Sequence, residues 1–88
     1  MRIKDSILLK SLGDSYVAVS TDESSDTKMM IKMNKTGADV WRFIEEGLSE
    51  KEIAAKLVEK YDGVEYEHAL QNTSYIIEIL KSKGILTD

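Results

Sequence analysis

The sequence predicts one small α+β domain over residues 1–88, in which a three-stranded antiparallel sheet is followed by three α-helices. The chain is 42% apolar with a net charge of −4, enough apolar residues for one core and too little charge for disorder. Apolar residues form short β-like runs up to about residue 34 and follow helical spacing afterwards. The charge divides at the same place, because residues 1–34 carry five basic and five acidic side chains and residues 35–88 carry seven and eleven.

The N-terminal part predicts a β-hairpin. Its two strands are short, partly β-branched apolar runs at about residues 6–12 and 16–20. Gly13 lies between them at the first central position of a tight turn, where it adopts a positive φ without steric cost. Residues 21–28 contain no apolar side chain before Met29, and we expect them to form a solvated loop.

A third strand is predicted at about residues 28–33, and it is rich in methionine. Alternation places Met29, Ile31 and Met33 on one face. Methionine fills ordinary cores, but methionine-rich surfaces also repack around varied partners. If this strand lies at the sheet edge, its unpaired N–H and C=O groups are open to an extended peptide or to a second copy in a homodimer.

Helical spacing predicts three helices, at about residues 35–46, 50–61 and 66–83. Asn34 is placed to cap the first helix, whose predicted buried stripe is Gly37, Val40, Trp41 and Ile44. Ser49 and Glu52 have the spacing of a capping box at the start of the second. Gly84 supplies the residue that ends the third.

The third helix has more apolar surface than a small core requires. Its predicted core stripe consists of Ala69, Thr73, Ile76 and Leu80. Two flanks are also apolar, with Leu70 and Ile77 on one side and Tyr75 and Ile79 on the other. The excess indicates a binding groove, and the residues by themselves leave open which flank forms it.

Several classes of function are disfavoured by composition. The chain has no cysteine, which excludes disulfides, zinc ribbons, iron–sulfur clusters and thiol nucleophiles. His68 is the only histidine, so no convincing metal site is predicted, and we expect no catalytic residues and no cofactor. No signal peptide and no membrane-length apolar run precedes or interrupts the domain, so we expect a cytoplasmic protein without a membrane partner.

Three segments carry a resemblance to a known family. They are Met33-Asn34-Lys35-Thr36-Gly37-Ala38 followed by Val40-Trp41, then Gly47-Leu48-Ser49-Glu50-Lys51-Glu52-Ile53, and finally Gly84-Ile85-Leu86. They resemble the L-N-x-T-G-A, G-x-T-x-x-E-I and G-L-L elements of the PqqD family, the peptide-recognition domains of ribosomal peptide maturation. The resemblance extends from Ile7 to Leu86. Asn72 departs from it, since family members often carry an acidic residue there.

The resemblance implies a winged-helix-like domain that acts as a non-catalytic peptide chaperone. Such a domain binds the leader segment of a precursor peptide and presents it to a modifying enzyme, often a radical S-adenosylmethionine enzyme. The leader adds as a further strand to the third strand and lies against the third helix. Because the family's core positions map to Thr73, Ile76, Ile77 and Leu80, the resemblance favours Tyr75 and Ile79 as the groove flank.

The predicted peptide-binding residues are therefore Lys28, Met29, Met30, Ile31, Lys32, Met33, Tyr75, Ile76, Ile79 and Lys83. The lysines are included as partners for acidic leader residues, although exposed ion pairs contribute only about 0–1 kcal/mol each.

The main alternative is a winged-helix regulator that binds DNA, because residues 48–57 resemble the first helix of a helix-turn-helix motif. Two features disfavour it. Residues 58–65 form a longer junction than the usual turn of that motif, and Glu65 and Glu67 open the would-be recognition helix, where they would face phosphates. An acyl carrier protein matches in size and acidity, but its serine follows an aspartate at a helix start, and Asp14-Ser15 lies in a predicted hairpin turn.

Overall fold

The computed structural model describes the backbone of residues 1–20 and 28–87 and the side chains of residues 1–20 and 31–87. Its elements are β1 (Arg2–Ile3), β2 (Ile7–Leu12), β3 (Ser15–Ser20), β4 (Lys28–Met33), α1 (Lys35–Glu45), α2 (Glu50–Lys60), α3 (Tyr66–Ser82) and β5 (Leu86–Thr87). The antiparallel sheet β2-β3-β4 precedes the three helices, which confirms the predicted fold class. Each of these six elements begins and ends within one residue of its predicted bounds. The predicted loop at residues 21–28 lies outside the described residues, apart from Lys28 in β4.

The termini form a second, two-stranded sheet that the sequence did not predict. Arg2 pairs with Thr87 and Ile3 with Leu86. The N–H of Lys4 also donates to the carbonyl of Ile85 at 3.0 Å. Strands of two residues are too short to show a period, and their pairing partner is at the other end of the chain.

The hairpin turn between β2 and β3 depends on Gly13. Leu12 pairs with Ser15, so Gly13 and Asp14 form a two-residue loop. Gly13 has a φ of +61°, and no residue other than glycine has a positive φ in the described chain. A positive φ at the first loop position alone is the type II′ geometry, whose twist matches that of the flanking strands.

The pairing of β4 with β3 contains a β-bulge. Ile31 pairs with Ala18, but Met29 pairs with Val19, so Met30 is an extra residue in β4. The strict alternation predicted for Met29, Ile31 and Met33 is therefore wrong at the bulge. Bulges are common on edge strands, where they interrupt the regular ladder that would otherwise favour aggregation.

The core lies between the inner face of the sheet and the helices. Its largest fully buried side chains are Trp41, Ile53, Leu80, Ile85, Val40 and Thr73. Ile7, Ala18 and Met33 contribute to the same cluster from the sheet. The whole predicted stripe of α1 is buried, as expected from its 3.6-residue period.

The buried stripe of α3 differs by one residue from the predicted one. Ala69, Thr73 and Leu80 are buried as predicted, but Ile77 is buried and Ile76 is only half-buried. The difference follows from the position of α2, which packs on the Ile77 side of α3; the Ser74 hydroxyl there donates to a Glu50 carboxylate oxygen. None of the described helices is long and apolar enough to cross a membrane.

Candidate functional site

A cavity of about 250 Å³ lies between β4 and α3, and we call it the β4–α3 groove. Its lining residues are Ile31, Lys32 and Met33 from β4, Asn34 and Gly37 from the start of α1, and Asn72, Tyr75, Ile76, Ile79 and Leu80 from α3. The groove is therefore formed by a strand on one side and a helix face on the other.

One wall of the groove is an edge strand. β4 pairs only with β3 among the described strands, and it is the last strand of the sheet order β2-β3-β4. Alternate N–H and C=O groups of an edge strand point away from its neighbour. Between the bulge at Met30 and the end of the strand, the open side of β4 therefore presents backbone donors and acceptors in the pattern that an added strand requires.

The helical wall is apolar and incompletely covered. The Tyr75 side chain is 66% exposed, and Ile76 and Ile79 are half-buried. Apolar surface that a ligand removes from water contributes about 25 cal/mol per Å². These side chains consequently retain surface that binding of an apolar partner would bury, while the buried Leu80 closes the bottom of the groove.

Gly37 allows α1 to begin directly against the groove floor. Its backbone N–H donates to the Asn34 side chain at 2.9 Å, the N-cap bond of α1. A Cβ at Gly37 would lie 3.1 Å from the Met33 Cβ, tighter than ordinary van der Waals contact. The missing side chain thus serves packing, and the close approach brings α1 to the Met33 end of β4.

Six of the ten predicted peptide-binding residues line the groove: Ile31, Lys32, Met33, Tyr75, Ile76 and Ile79. Lys83 is exposed at the C-cap of α3 and does not line it. Lys28, Met29 and Met30 belong to β4, but their side chains lie outside the described residues. Peptide binding by the ten residues stays a prediction.

Sequence reasoning did not assign four lining residues to a binding site: Asn34, Gly37, Asn72 and Leu80. Asn34 and Gly37 were explained by capping and packing. Asn72 lies three and four residues before Tyr75 and Ile76, so helical spacing alone would have placed it on the same face.

A buried polar cluster joins α1 to the end of α2. The Asp39 carboxylate is 3% exposed, and it accepts hydrogen bonds from the Lys60 ammonium at 2.8 Å and from the Tyr61 hydroxyl. The bond to Asp39 raises the pKa of Lys60, because it favours the charged ammonium. The pKa of Tyr61 is raised first by its bond to Asp39 and then by burial.

A second cavity, of about 490 Å³, lies on the far side of Asn72 from the β4–α3 groove. Its lining residues are Thr36, Leu57, Tyr61, Asp62, Val64, His68, Ala69 and Asn72. His68, the only histidine, is exposed at this cavity.

Comparison with known proteins gives one family and two structural neighbours. The family model described as "Coenzyme PQQ synthesis protein D (PqqD)" matches residues 17–86. The structure of TbiB1 in complex with the TbiA(beta) leader peptide is similar, with a TM-score of 0.76 and 19% identity over 100% of both chains. A lasso peptide synthetase B1 complexed with the leader peptide has a TM-score of 0.77 and 21% identity, over 99% of this chain and 96% of that one. No curated protein matches the sequence.

Proposed function

The chain belongs to the PqqD family, and from that premise we propose that it is a non-catalytic chaperone for a ribosomally made precursor peptide. It binds the leader segment of the precursor in the β4–α3 groove and presents the remainder to a modifying enzyme, such as a radical S-adenosylmethionine enzyme. Both partners are cytoplasmic in this proposal, since the precursor is a fresh ribosomal product.

The proposal depends on one observation: an open strand edge and an incompletely covered apolar helix face form the two walls of the same groove. The edge of β4 offers main-chain hydrogen bonds that accept any extended sequence. Tyr75, Ile76 and Ile79 offer surface for the alternate side chains of that strand. Main-chain bonds supply affinity in this mode of recognition and the side-chain surface supplies specificity.

Both structural neighbours are complexes with leader peptides, and this supports a leader peptide as the occupant. The DNA-binding alternative has less support. The junction predicted at residues 58–65 is wrong in length, because α2 continues to Lys60 and five residues connect it to α3, close to the roughly three or four of a helix-turn-helix turn. The remaining argument against DNA is that Glu65 and Glu67 lie at the start of α3, where a recognition helix would meet phosphates.

The first test is a titration of the labelled full chain with synthetic peptides. The peptides cover the N-terminal parts of short open reading frames beside its gene, and scrambled versions serve as controls. We expect micromolar or tighter binding, with amide shifts concentrated at residues 31–33 and along α3 from Asn72 to Ile79. Shifts confined to other surfaces, or equal binding of scrambled peptides, would contradict the proposal.

Strand addition is tested by two neighbouring proline variants, Ile31→Pro and Lys32→Pro. Adjacent N–H groups of a strand point to opposite edges, so one proline removes a bond to β3 and the other removes an outward donor. We expect the variant that loses the bond to β3 to lose stability. The variant that loses the outward donor should stay folded and bind the peptide more weakly. If both variants fold and bind with the affinity of the original chain, strand addition is wrong.

A second copy of the chain is the competing occupant of the same edge. Sedimentation with and without peptide distinguishes the two, because peptide binding at β4 would dissociate a dimer formed through that edge.

A further inference from the structure

The second cavity continues the β4–α3 groove. Asn72 lines both cavities, and the neighbouring residues Thr36 and Gly37 line one each. The two cavities therefore meet at the start of α1, beside the Met33 end of β4. A peptide that follows β4 and extends past Met33 reaches the second cavity next.

The chemistry of the second cavity differs from that of the groove. Its floor is apolar, with Leu57 and Ala69 buried and Val64 half-buried. Asp62 is exposed at its rim and is the one carboxylate among the lining residues. An apolar floor with a carboxylate at its rim is complementary to a lysine or arginine, whose methylenes pack on apolar surface while the charged end stays in water.

The surroundings of this cavity are negatively charged. Asp62, Glu65 and Glu67 are exposed and have no ion-pair partner in the part of the chain that the structure describes. The nearest lysine in the sequence, Lys60, is bound to Asp39 at 2.8 Å. No ion pair among the described residues holds the Asp62 carboxylate, so it is available to a cationic ligand.

We propose that the bound peptide carries a lysine or arginine just beyond its strand-adding segment, and that this side chain occupies the second cavity with Asp62 as its ion partner. The inference rests on the proposed peptide binding at β4. The direction of the peptide along β4 decides whether the basic residue precedes or follows the strand-adding segment, so both ends are tested.

The probe is a phage-displayed library of random peptides about 20 residues long, long enough to span both cavities at about 3.3 Å per residue. It is selected in parallel on the full chain, on Asp62→Asn and on Glu78→Gln. Asparagine is tolerated in turns, so Asp62→Asn should stay folded. Glu78→Gln removes one carboxylate from the exposed face of α3, away from both cavities, and is the matched control.

We expect the unmodified chain and Glu78→Gln to select apolar extended segments with lysine or arginine enriched at one end. Asp62→Asn should select the same segments without that enrichment. Equal enrichment in all three pools, no basic enrichment, or enrichment of aromatic residues in its place would overturn the inference. Failure of the proposed function is recognised separately, because selected peptides would then not shift the amides of residues 31–33.

A thermodynamic cycle with one selected synthetic peptide gives a second readout. Replacing its basic residue by glutamine, or Asp62 by asparagine, should each weaken binding about two- to fivefold, the range of exposed ion pairs. Together the two changes should weaken binding no more than either alone, and about 300 mM salt should reduce the effect. Additive losses, or no loss from either change, would show that the two groups do not interact.

Discussion

The two apolar flanks of α3 are similar in composition and differ in what covers them. Ile77, on the flank that faces α2, is 5% exposed. Tyr75, on the flank that faces β4, is 66% exposed, and Ile79 beside it is half-buried. On the first flank α2 covers Ile77 and Leu70 is half-buried, whereas the second flank faces the groove that it lines with β4 and the start of α1.

This difference separates stability from binding within one helix. Full burial of an isoleucine contributes about 1.5–3 kcal/mol, so Ile77 contributes most of its apolar surface to folding. Ile79 keeps part of its surface in water, and that part remains for a ligand. Apolar residues on the same helix thus serve different purposes, and substitutions at each flank test how sharply the two differ.

The largest expected effect is that of Ile77→Ala on stability. Removing a buried isoleucine side chain and leaving a cavity should lower the free energy of unfolding by about 2–5 kcal/mol. Urea denaturation measures it, with Ile79→Ala as the matched change on the other flank. We expect Ile79→Ala to cost less than Ile77→Ala; equal losses would mean that both flanks belong to the core.

Asp39→Asn removes the charged acceptor that links α1 to the end of α2, the helix that covers the Ile77 flank of α3. Loss of the charged acceptor of Lys60 and Tyr61 should lower the free energy of unfolding by about 1.5–3 kcal/mol. Affinity for a peptide without the basic residue, which occupies only the β4–α3 groove, should be unchanged, because neither Asp39 nor its two partners line that groove. Urea denaturation and peptide titration of the same variant measure the two quantities.

The same cluster predicts a pH dependence. The pKa values of Lys60 and Tyr61 are raised in the folded chain, because Asp39 favours their protonated forms. Their contribution to stability is complete below about pH 10, near the pKa values of the unfolded chain, and is lost as the pH rises through the folded-state values. Stability of the original chain should therefore fall more steeply above about pH 10 than that of Asp39→Asn; parallel curves would contradict this.

Ile79→Ser tests the open flank directly. Loss of apolar contact with the ligand should weaken peptide binding about tenfold, or about 1.4 kcal/mol, with little change in unfolding free energy. Leu8→Ser is the matched control, since Leu8 is 49% exposed on the strand β2 and does not line the groove. Fluorescence anisotropy with a labelled leader peptide measures the affinity of both variants, and urea denaturation measures their unfolding free energies. If Leu8→Ser weakened peptide binding as much as Ile79→Ser, the loss of affinity could not be assigned to the β4–α3 groove.

The smallest expected effect is that of Ser49→Ala, which removes the N-cap of α2. The Ser49 hydroxyl accepts the Glu52 N–H at 3.2 Å, and the Ser49 N–H donates to Glu52 at 2.9 Å. Loss of the cap should cost about 1 kcal/mol in urea denaturation, without an effect on peptide affinity.

The capping box also has a pH signature. The backbone N–H of Ser49 and then its side chain lower the pKa of Glu52, because both bonds favour the carboxylate. That contribution is complete above the ordinary glutamate pKa, about 4.3, and is lost as the pH falls through the folded-state value. Ser49→Ala should therefore show a shallower loss of stability on acidification than the original chain, and an unchanged slope would contradict the role of the hydroxyl.

Local chemistry in the sequence was enough to predict the main elements. Gly13 at a two-residue turn, Asn34 and Ser49 at N-caps and the helical spacing after residue 34 act over a few neighbouring residues. The period of apolar residues also predicted the buried stripe of α1. These signals depend on short-range sterics and hydrogen bonds, which the sequence records directly.

The groove could be predicted only in part. An apolar excess on α3 and a methionine-rich strand indicated a binding surface, and the family resemblance favoured the Tyr75 side. The exact lining depends on the close approach of Gly37 to Met33 and on the rotation of α3 about its axis. Helical spacing places Asn72 on the same face as Tyr75 and Ile76, but the rotation that buries Ile77 and leaves Ile76 half-buried at the groove does not appear in a period.

By itself, then, the sequence determined the α+β class, the order and bounds of three strands and three helices, and the presence of surplus apolar surface. Only the tertiary structure decided that β1 pairs with β5, that β4 carries a bulge at Met30, and that α2 covers Ile77 and leaves Ile76 and Ile79 at the groove. The reason is physical. Element formation is dominated by neighbours in sequence, whereas coverage depends on segments far apart in the chain that compete for the same apolar faces.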